Sequence, residues 1–366
     1  MSRADAAVLA DRDAADASRA RTLVTRRLAD LVCLPSSRIS PAERWIVADV
    51  LDELLRDAEA DLRARVSARL ADQAEAPASL LRRLAADAFQ VAQPILERSK
   101  ALTDFDMMEV ARRGDVQHRL AIASREHVSE TVAAALAATA DAPVLEALMR
   151  NSGARLAAET TDRLVREAAQ SPRLARLLLK RPELRPAQAL ALFWDVDHAL
   201  RTLILQRFAV ERAIMREAAE DVFARAAEAR RSDAQLARAL GFMDRRQRDR
   251  AALDRSRFAD LETAIEAAVR EGLDDALAEE IAALAGVERS LFARMKDDFG
   301  GEGLAVMAKG TGLSRRHLVM LLEAGGRARD ETLRQAEATY SSLSVDKAQT
   351  VLRYWDWSWA RARDAG

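Results

Sequence analysis

A chain of 366 residues with 49% hydrophobic content has ample apolar material for a folded interior, which excludes disorder as its main state. Aromatics are only 4%, charged residues are 31% and alanine supplies much of the apolar share, a mixture that favours helices over strands and predicts an all-α fold. A net charge of −1 gives the molecule as a whole no pull toward polyanions, and the lone Cys33 precludes an internal disulfide or a cysteine metal cluster.

The opening MSRADAAVLADRDAAD has acidic residues where a secretory signal carries its apolar core, and no apolar run reaches the roughly 18–20 residues of a membrane span. No membrane attachment and a cytoplasmic location are therefore expected. Residues 1–40 read as an N-terminal helical segment, partly flexible. At 40–43 the sequence SPAE places Ser40 as N-cap, Pro41 at the first helical position and Glu43 three residues after the cap, the pattern of a capping box. Trp45, Val47, Val50, Leu51, Leu54, Leu55 and Ala58 then supply the expected buried stripe of that helix. Leu62, Val66 and Leu70 repeat the spacing in the next helix, before Pro77 breaks the run.

From there the chain falls into short amphipathic segments. Asp87, Asp115, Asp141, Ser171 and Asp195 each precede an apolar helical run at intervals of roughly 24–30 residues, and each suits an N-cap. ADAPVLEALMRNS (140–152) and QSPRLARLLLKRP (170–182) share one plan, a cap, a proline in the first turn and leucines three and four apart. Each unit is a helix pair, because HVSETVAAALAATA and TTDRLVREAA supply the helices before them. One such pair cannot stand alone: ordering its backbone costs about 1–2 kcal/mol per residue, against about 1.5–3 kcal/mol returned per buried leucine or valine. Stacking into an α-solenoid lets every unit borrow its core from the next. Pro94 predicts a kink or a late helix start.

The expected organisation is a helical repeat domain over 41–208, a polar helical linker over 209–271, C-terminal helical repeats over 272–342 and a Trp-rich C-terminal helix over 343–366. In the linker, DRRQRDRAALDRSR (244–257) interleaves aspartate with arginine and reads as a solvated face, since the acids neutralise most of the field.

GTGLSRRHLVMLL (310–322) invites a different name. Ala308, Gly312, Leu313, Leu318 and Leu321 fit a helix-turn-helix template, with Ser314 as cap and Arg315, Arg316 and His317 on the exposed first turn as candidate contacts to DNA or a partner. The same pattern, however, stands 26 residues upstream as Ala282, Gly286, Val287, Phe292 and Met295, followed by Asp297 and Asp298, which repel phosphate. A packing repeat is the favoured reading and DNA binding the alternative.

Two stretches carry a resemblance. LAADAFQVAQPILERSKALTDFDMMEVA and HRLAIASREHVSETVAAALAATADAPVLEALMRNSGARL resemble the bacterial family called domain of unknown function 2336, whose helical repeats look HEAT-like. The similarity is strongest from about Arg26 to Asn151, with an echo at LAGVERSLFARMKDDFGGEGLAVMAKGTGLS. The resemblance implies a fold and carries over no reaction.

Residues with chemistry do not converge. His118, His127, His198 and His317 have no second histidine or cysteine at ligand spacing, so no metal is expected. DDFGGEGLAVMAKG lacks the order of a phosphate cradle, and SVDK lacks the companion motifs of penicillin-recognising enzymes, so neither a cofactor nor a catalytic residue is expected. FWDVDHALR (193–201) is similar to the tryptophan-aspartate segment of HEAT-like DNA glycosylases, but Trp194 and Asp197 lie three apart, where that family's pattern sets them one residue further. A buried tryptophan and a capping Asp195 explain it more simply. The tail VLRYWDWSWARARDAG gathers Trp355, Trp357 and Trp359, a candidate interface through which a homo-oligomer could form, or a hydrophobic cap on the last repeats.

The expected function is a non-enzymatic scaffold or adaptor that presents a helical-repeat surface to a macromolecular partner, with protein favoured over nucleic acid. A DNA-binding regulator acting through 304–322 is the alternative, and a HEAT-like DNA glycosylase the third reading.

Overall fold

The computed structural model of the chain describes residues 3–211, 226, 233–243 and 248–364, with side chains described between 16 and 358 except at Arg238 and Phe242. The chain is all-α. Among the described residues there is no strand, and the extended pairing that occurs is an isolated bridge between Val128 and Ala154. Part of the 209–271 segment, including all of DRRQ at 244–247, lies outside the described residues. Two compact units form, one from Met1–Glu167 with Lys180–Glu183, the other from Ala168–Leu179 with Leu184–Gly366.

The first unit opens with α1 (Arg3–Val32) and α2 (Pro41–Arg56), which pack on each other. The capping box at Ser40 forms as its sequence predicts, with Glu43 N–H donating to Ser40 Oγ and Ser40 N–H donating to Glu43 Oε2 at 2.8 Å. The stripe behind it is narrower than expected. Leu51 and Leu55 are buried, but Trp45 and Val50 are exposed, because the face that meets α1 runs through Arg44, Ala48, Leu51 and Leu55.

There follow α3 (Ala60–Leu70), α4 (Ala78–Ala85), α5 (Phe89–Arg98), α6 (Asp104–Arg113), α7 (Val116–Ala123), α8 (Glu130–Ala138), α9 (Ala142–Arg150) and α10 (Ala158–Ala169). Alternate helices meet: α3 lies on α5, α5 on α7, α7 on α9, and α6 on α8. Each contributes an apolar stripe at helical spacing, for example Leu62, Val66 and Leu70 from α3 and Val144, Leu145 and Leu148 from α9. Pro94 falls in the second turn of α5, which begins only five residues ahead of it.

Polar ties repeat with the same period. Near the C-terminal end of every second helix, a side chain donates to carbonyls at the end of the helix one repeat earlier. Arg98 reaches Ala68 O at 3.3 Å, Arg125 reaches Leu96 O and Ser99 O, Asn151 reaches Ala123 O at 2.8 Å, and Arg181 reaches Asn151 O at 2.7 Å. Helix ends leave carbonyls without intrahelical partners and carry partial negative charge, so a cation or amide placed there satisfies both demands.

The predicted caps divide in the same light. Asp115 and Ser171 accept backbone N–H bonds at the starts of their helices. Asp141 stands at the cap of α9 but its carboxylate takes Arg119 at 2.6 Å, and Asp87, one residue before the cap Ala88, takes Arg63 through Nε at 2.7 Å and Nη2 at 3.0 Å. Burial alone raises the Asp87 carboxyl, and the Arg63 hydrogen bonds outweigh it and hold it below the usual range. Asp195 caps no helix: Phe193–Asp195 coils into a 3-10 turn, and Asp197 caps the next helix by accepting from Leu200 N–H at 2.9 Å.

The second unit contains α11 (Pro172–Leu178), α12 (Pro186–Leu192), α13 (His198–Phe208), α14 (Ala234–Met243), α15 (Arg250–Leu253), α16 (Leu261–Glu271), α17 (Asp275–Ala285), α18 (Arg289–Asp297), α19 (Glu302–Gly310), α20 (Arg315–Ala324), α21 (Asp330–Ser342) and α22 (Val345–Asp364). Its centre is α19, buried along nearly its whole length and touched by α18, α20, α21 and α22. A helix written EGLAVMAKG, apolar around its circumference, has to be enclosed in this way.

The 26-residue sequence echo is a repeated helix ending. Gly286 (φ 63°) and Gly312 (φ 76°) take the left-handed conformation, and the next residue closes the same bond in both, Val287 N–H to Ala282 O and Leu313 N–H to Ala308 O, each at 2.9 Å. That is a Schellman ending, which favours glycine. The apolar partners Phe292, Met295, Leu318 and Leu321 are all buried.

Candidate functional site

In the first unit, α4, α6 and the start of α7 border an open groove of about 590 Å³. Its shape follows from local sequence. Thr103 caps α6 and forms a capping box with Asp106, which also accepts Arg82 Nε at 2.7 Å. Burial pushes the Asp106 carboxyl up, but the Thr103 and Arg82 hydrogen bonds prevail and hold it below the ordinary range. With α6 fixed in this rotation, Met107, Val110 and Ala111 face inward, and Phe105, off that stripe, stands 68% exposed on the groove.

The far wall is the α6–α7 junction. Gly114 permits a close approach, since a Cβ there would lie 2.8 Å from Val110 O and 2.9 Å from His118 Cβ. His118 is buried, with Nδ1 2.8 Å from Asp115 Oδ1, Nε2 2.9 Å from Asp87 O, and the Phe89 ring edge-on at 5.6 Å. The His118 hydrogen bonds lower the Asp115 carboxyl pKa. Glu109 pairs with Arg112 and Arg113 along the rim. The floor is apolar, from Ala85, Ala86 and Val110. Side chains paired with one another around an apolar floor and one exposed aromatic ring suit surface recognition. A more polar hollow of about 530 Å³ lies in the same unit, lined by Asp104, His127, Ser129, Thr131, Gly153 and Arg155.

The second unit holds a charged cluster that sequence reasoning missed. Arg201, fully buried, donates to Asp298 Oδ2 at 2.6 Å, Asp298 Oδ1 at 2.8 Å and Glu302 Oε2 at 2.6 Å, while His198 Nδ1 meets Glu302 Oε1 at 2.8 Å. Burial opposes the charge on Arg201, yet the two carboxylates carry its pKa upward. The Phe193 and Phe299 rings each lie 5.0 Å from its guanidinium carbon. This explains DDFGGEG: the stretch joins the end of α18 to the start of α19, and its Asp298 and Glu302 close on an arginine contributed from about a hundred residues earlier.

Arg315 and Arg316 are exposed at the start of α20, and Arg315 donates to Ser341 Oγ at 2.9 Å. His317 is half-buried, its Nδ1 2.9 Å from the capping Ser314 Oγ. Trp355 is buried: it donates to Leu190 O at 3.2 Å and stacks against Phe193 and Trp194 with ring centroids 4.8 Å apart. Trp357 is half-buried against Tyr354, and the Trp359 side chain lies outside the described residues. Within the second unit, Trp355 and the Arg315–His317 stretch therefore have different partners, Leu190, Phe193 and Trp194 for the first, Ser341 and Ser314 for the second. Among the described residues no group of three or more His, Cys, Asp or Glu side chains is placed to hold a metal ion, and no helix is long and apolar enough to cross a membrane.

The fold is that of an all-α protein whose first unit carries an open groove between helices. The chain belongs to the family described as an uncharacterised protein conserved in bacteria, domain of unknown function 2336, whose profile matches residues 91–353. The match takes in the echo at 284–314 as well as the repeats from α5 onward, and leaves α1 to α4 outside it. No curated protein and no solved structure matches the chain.

Proposed function

We propose that the protein is a non-enzymatic, cytoplasmic adaptor that holds a segment of a partner protein in the α4/α6/α7 groove. The observation that carries this reading is Phe105, a large aromatic side chain 68% exposed beside a groove of about 590 Å³ with an apolar floor. Exposed aromatics at the centre of a concave surface are the residues on which binding energy concentrates. The bound segment presents an aliphatic or aromatic side chain between Phe105 and Val110, and polar groups toward Arg113 and Asp115 on the rim. An amphipathic helix meets both demands. The alternation of contacts α3–α5–α7–α9 and the periodic carbonyl ties support reading the first unit as a short HEAT-like solenoid, whose repeats suit such surfaces. The single cysteine and the balanced charge support the location.

The test is affinity capture from the native host with three baits: the unmodified chain, Phe105→Ala with Arg113→Glu, and Arg315→Ala with Arg316→Ala. The reading expects one protein that the first and third baits retain and the second loses. Retention by the groove variant, with loss from the Arg315/Arg316 variant, would overturn it.

A further inference from the structure

The α1–α2 hairpin carries more exposed apolar surface than its fold explains. Leu23, Val24 and Leu31 on α1 are 60%, 48% and 41% exposed, and Trp45, Ile46 and Val50 on α2 are 55%, 66% and 48% exposed. These are six of the thirteen large hydrophobic side chains that stand exposed among the described residues, concentrated within 28 consecutive positions, so chance scatter is a poor account. Each helix already has a packed face. On α1 it runs through Thr25, Ala29 and Val32, and on α2 through Ala48, Leu51 and Leu55. At 100° per residue, Leu23 and Leu31 on α1 and Ile46 and Val50 on α2 fall on the side away from the packed face, while Val24 and Trp45 flank it. Both helices are apolar on two sides, a pattern of helices covered on two sides.

The charge on the two arms says what covers them. Over residues 16–32, α1 carries four arginines and two aspartates, a net +2, and Asp30 is engaged by Arg69 of α3. Over Pro41–Arg56, α2 carries four acids and two arginines, a net −2, and its buried Arg44 is engaged by Glu75. Within the outer stripe of α1, Arg27 stands between Leu23 and Leu31 at i±4. Within that of α2, Asp49 follows Trp45 by four residues and lies beside Ile46 and Val50. A surface with one basic and one acidic arm flanking apolar residues is complementary to itself under a two-fold rotation, which lays α1 of each copy over α2 of the other.

We infer that the α1–α2 hairpin is a homodimer interface, in which Leu23 and Leu31 of one copy pack on Trp45, Ile46 and Val50 of the second, and Arg27 pairs with Asp49 twice by symmetry. This inference is independent of the groove: it uses different helices and a different partner.

The test is sedimentation velocity on the full chain across about 1–100 μM, with circular dichroism to verify that each variant is folded; all substituted positions are exposed. The unmodified chain sediments at twice its mass of 40.3 kDa. Arg27→Glu and Asp49→Arg, each alone, weaken the dimer by at least about tenfold through like-charge contacts on both sides of the axis. Combined in one chain, they restore it. Ile46→Ser with Val50→Ser abolishes it. A chain monomeric throughout the range overturns the inference. So does a dimer indifferent to these changes, or a double charge swap that fails to recover association.

Discussion

Arg125 donates a hydrogen bond to the carbonyl of Ser99 at 2.6 Å, binding the end of one helix to the end of the helix one repeat before it. A second bond from the same guanidinium goes to Leu96 O. Burial lowers the pKa of this arginine, so its charge is kept against a desolvation cost that the helix-end carbonyls offset. Removing it orphans two carbonyls. Arg125→Ala is expected to destabilise the chain by about 2–3 kcal/mol, and Arg125→Lys to recover part of that, since an ammonium keeps the charge but loses the fork. Urea unfolding midpoints for the three proteins give the comparison, and equal midpoints would refute the role.

Arg201 presents the buried-charge case. Arg201→Ala leaves Asp298 and Glu302 buried without their cation and is expected to cost about 3–5 kcal/mol. Arg201→Met combined with Asp298→Asn and Glu302→Gln removes the charges together and should recover more than half of that loss. A triple variant as unstable as Arg201→Ala would show that specific hydrogen bonds, rather than unpaired charge, set the cost.

Acid sensitivity follows from Asp87 and Asp106. Both carboxyls are held below their unfolded values, so their contribution is complete above the unfolded pKa of about 3.9 and is lost as pH falls through the folded pKa. Stability of the unmodified chain should therefore drop over the range below about pH 4. In Asp106→Asn, the chain is expected to be less stable at pH 7 and to show a shallower fall. Thermal melts across that range read both, and parallel curves for the two proteins would count against the assignment.

The tail gives a prediction about Trp355, which is 1% exposed and meets Phe193, Trp194 and Leu190 O. Trp355→Ala should cost about 3–5 kcal/mol. Truncation before Leu343 should leave an unfolded second unit. A truncated chain that keeps the helicity per residue of the full chain and melts cooperatively over both units would contradict this.

Helix positions and the repeat period were legible because caps, prolines and apolar spacing are local signals. The Ser40 capping box and the Gly286 and Gly312 endings are examples. What periodicity cannot say is whether an apolar face is covered. Trp45 and Val50 belong to the same apolar pattern as Leu51, yet the α1 contact takes only one side of that helix. Asp87 and Asp195 show a related limit: cap chemistry is local, but Arg63 lies 24 residues from Asp87, and a 3-10 turn moved the other cap to Asp197. The Arg201 cluster joins residues about a hundred positions apart, which no spacing rule in one sequence can pair. For the groove, the available signal was Phe105 itself, an aromatic between two aspartates and off the stripe of Met107, Val110 and Ala111.

DNA recognition through 304–322 makes a separate prediction. Anisotropy with labelled duplex DNA at low and moderate salt should show no salt-sensitive binding, because the exposed Asp297 precedes that segment and the chain as a whole carries −1. Salt-sensitive binding abolished by Arg315→Ala with Arg316→Ala would establish the alternative.

The most direct test of the adaptor reading is the affinity of the purified chain for the partner protein recovered by capture, measured by calorimetry with Phe105 intact and with Phe105→Ala. The groove account predicts a dissociation constant raised at least tenfold, about 1.4 kcal/mol or more, with the melting temperature of the free chain unchanged. Equal affinities for the two proteins would contradict it.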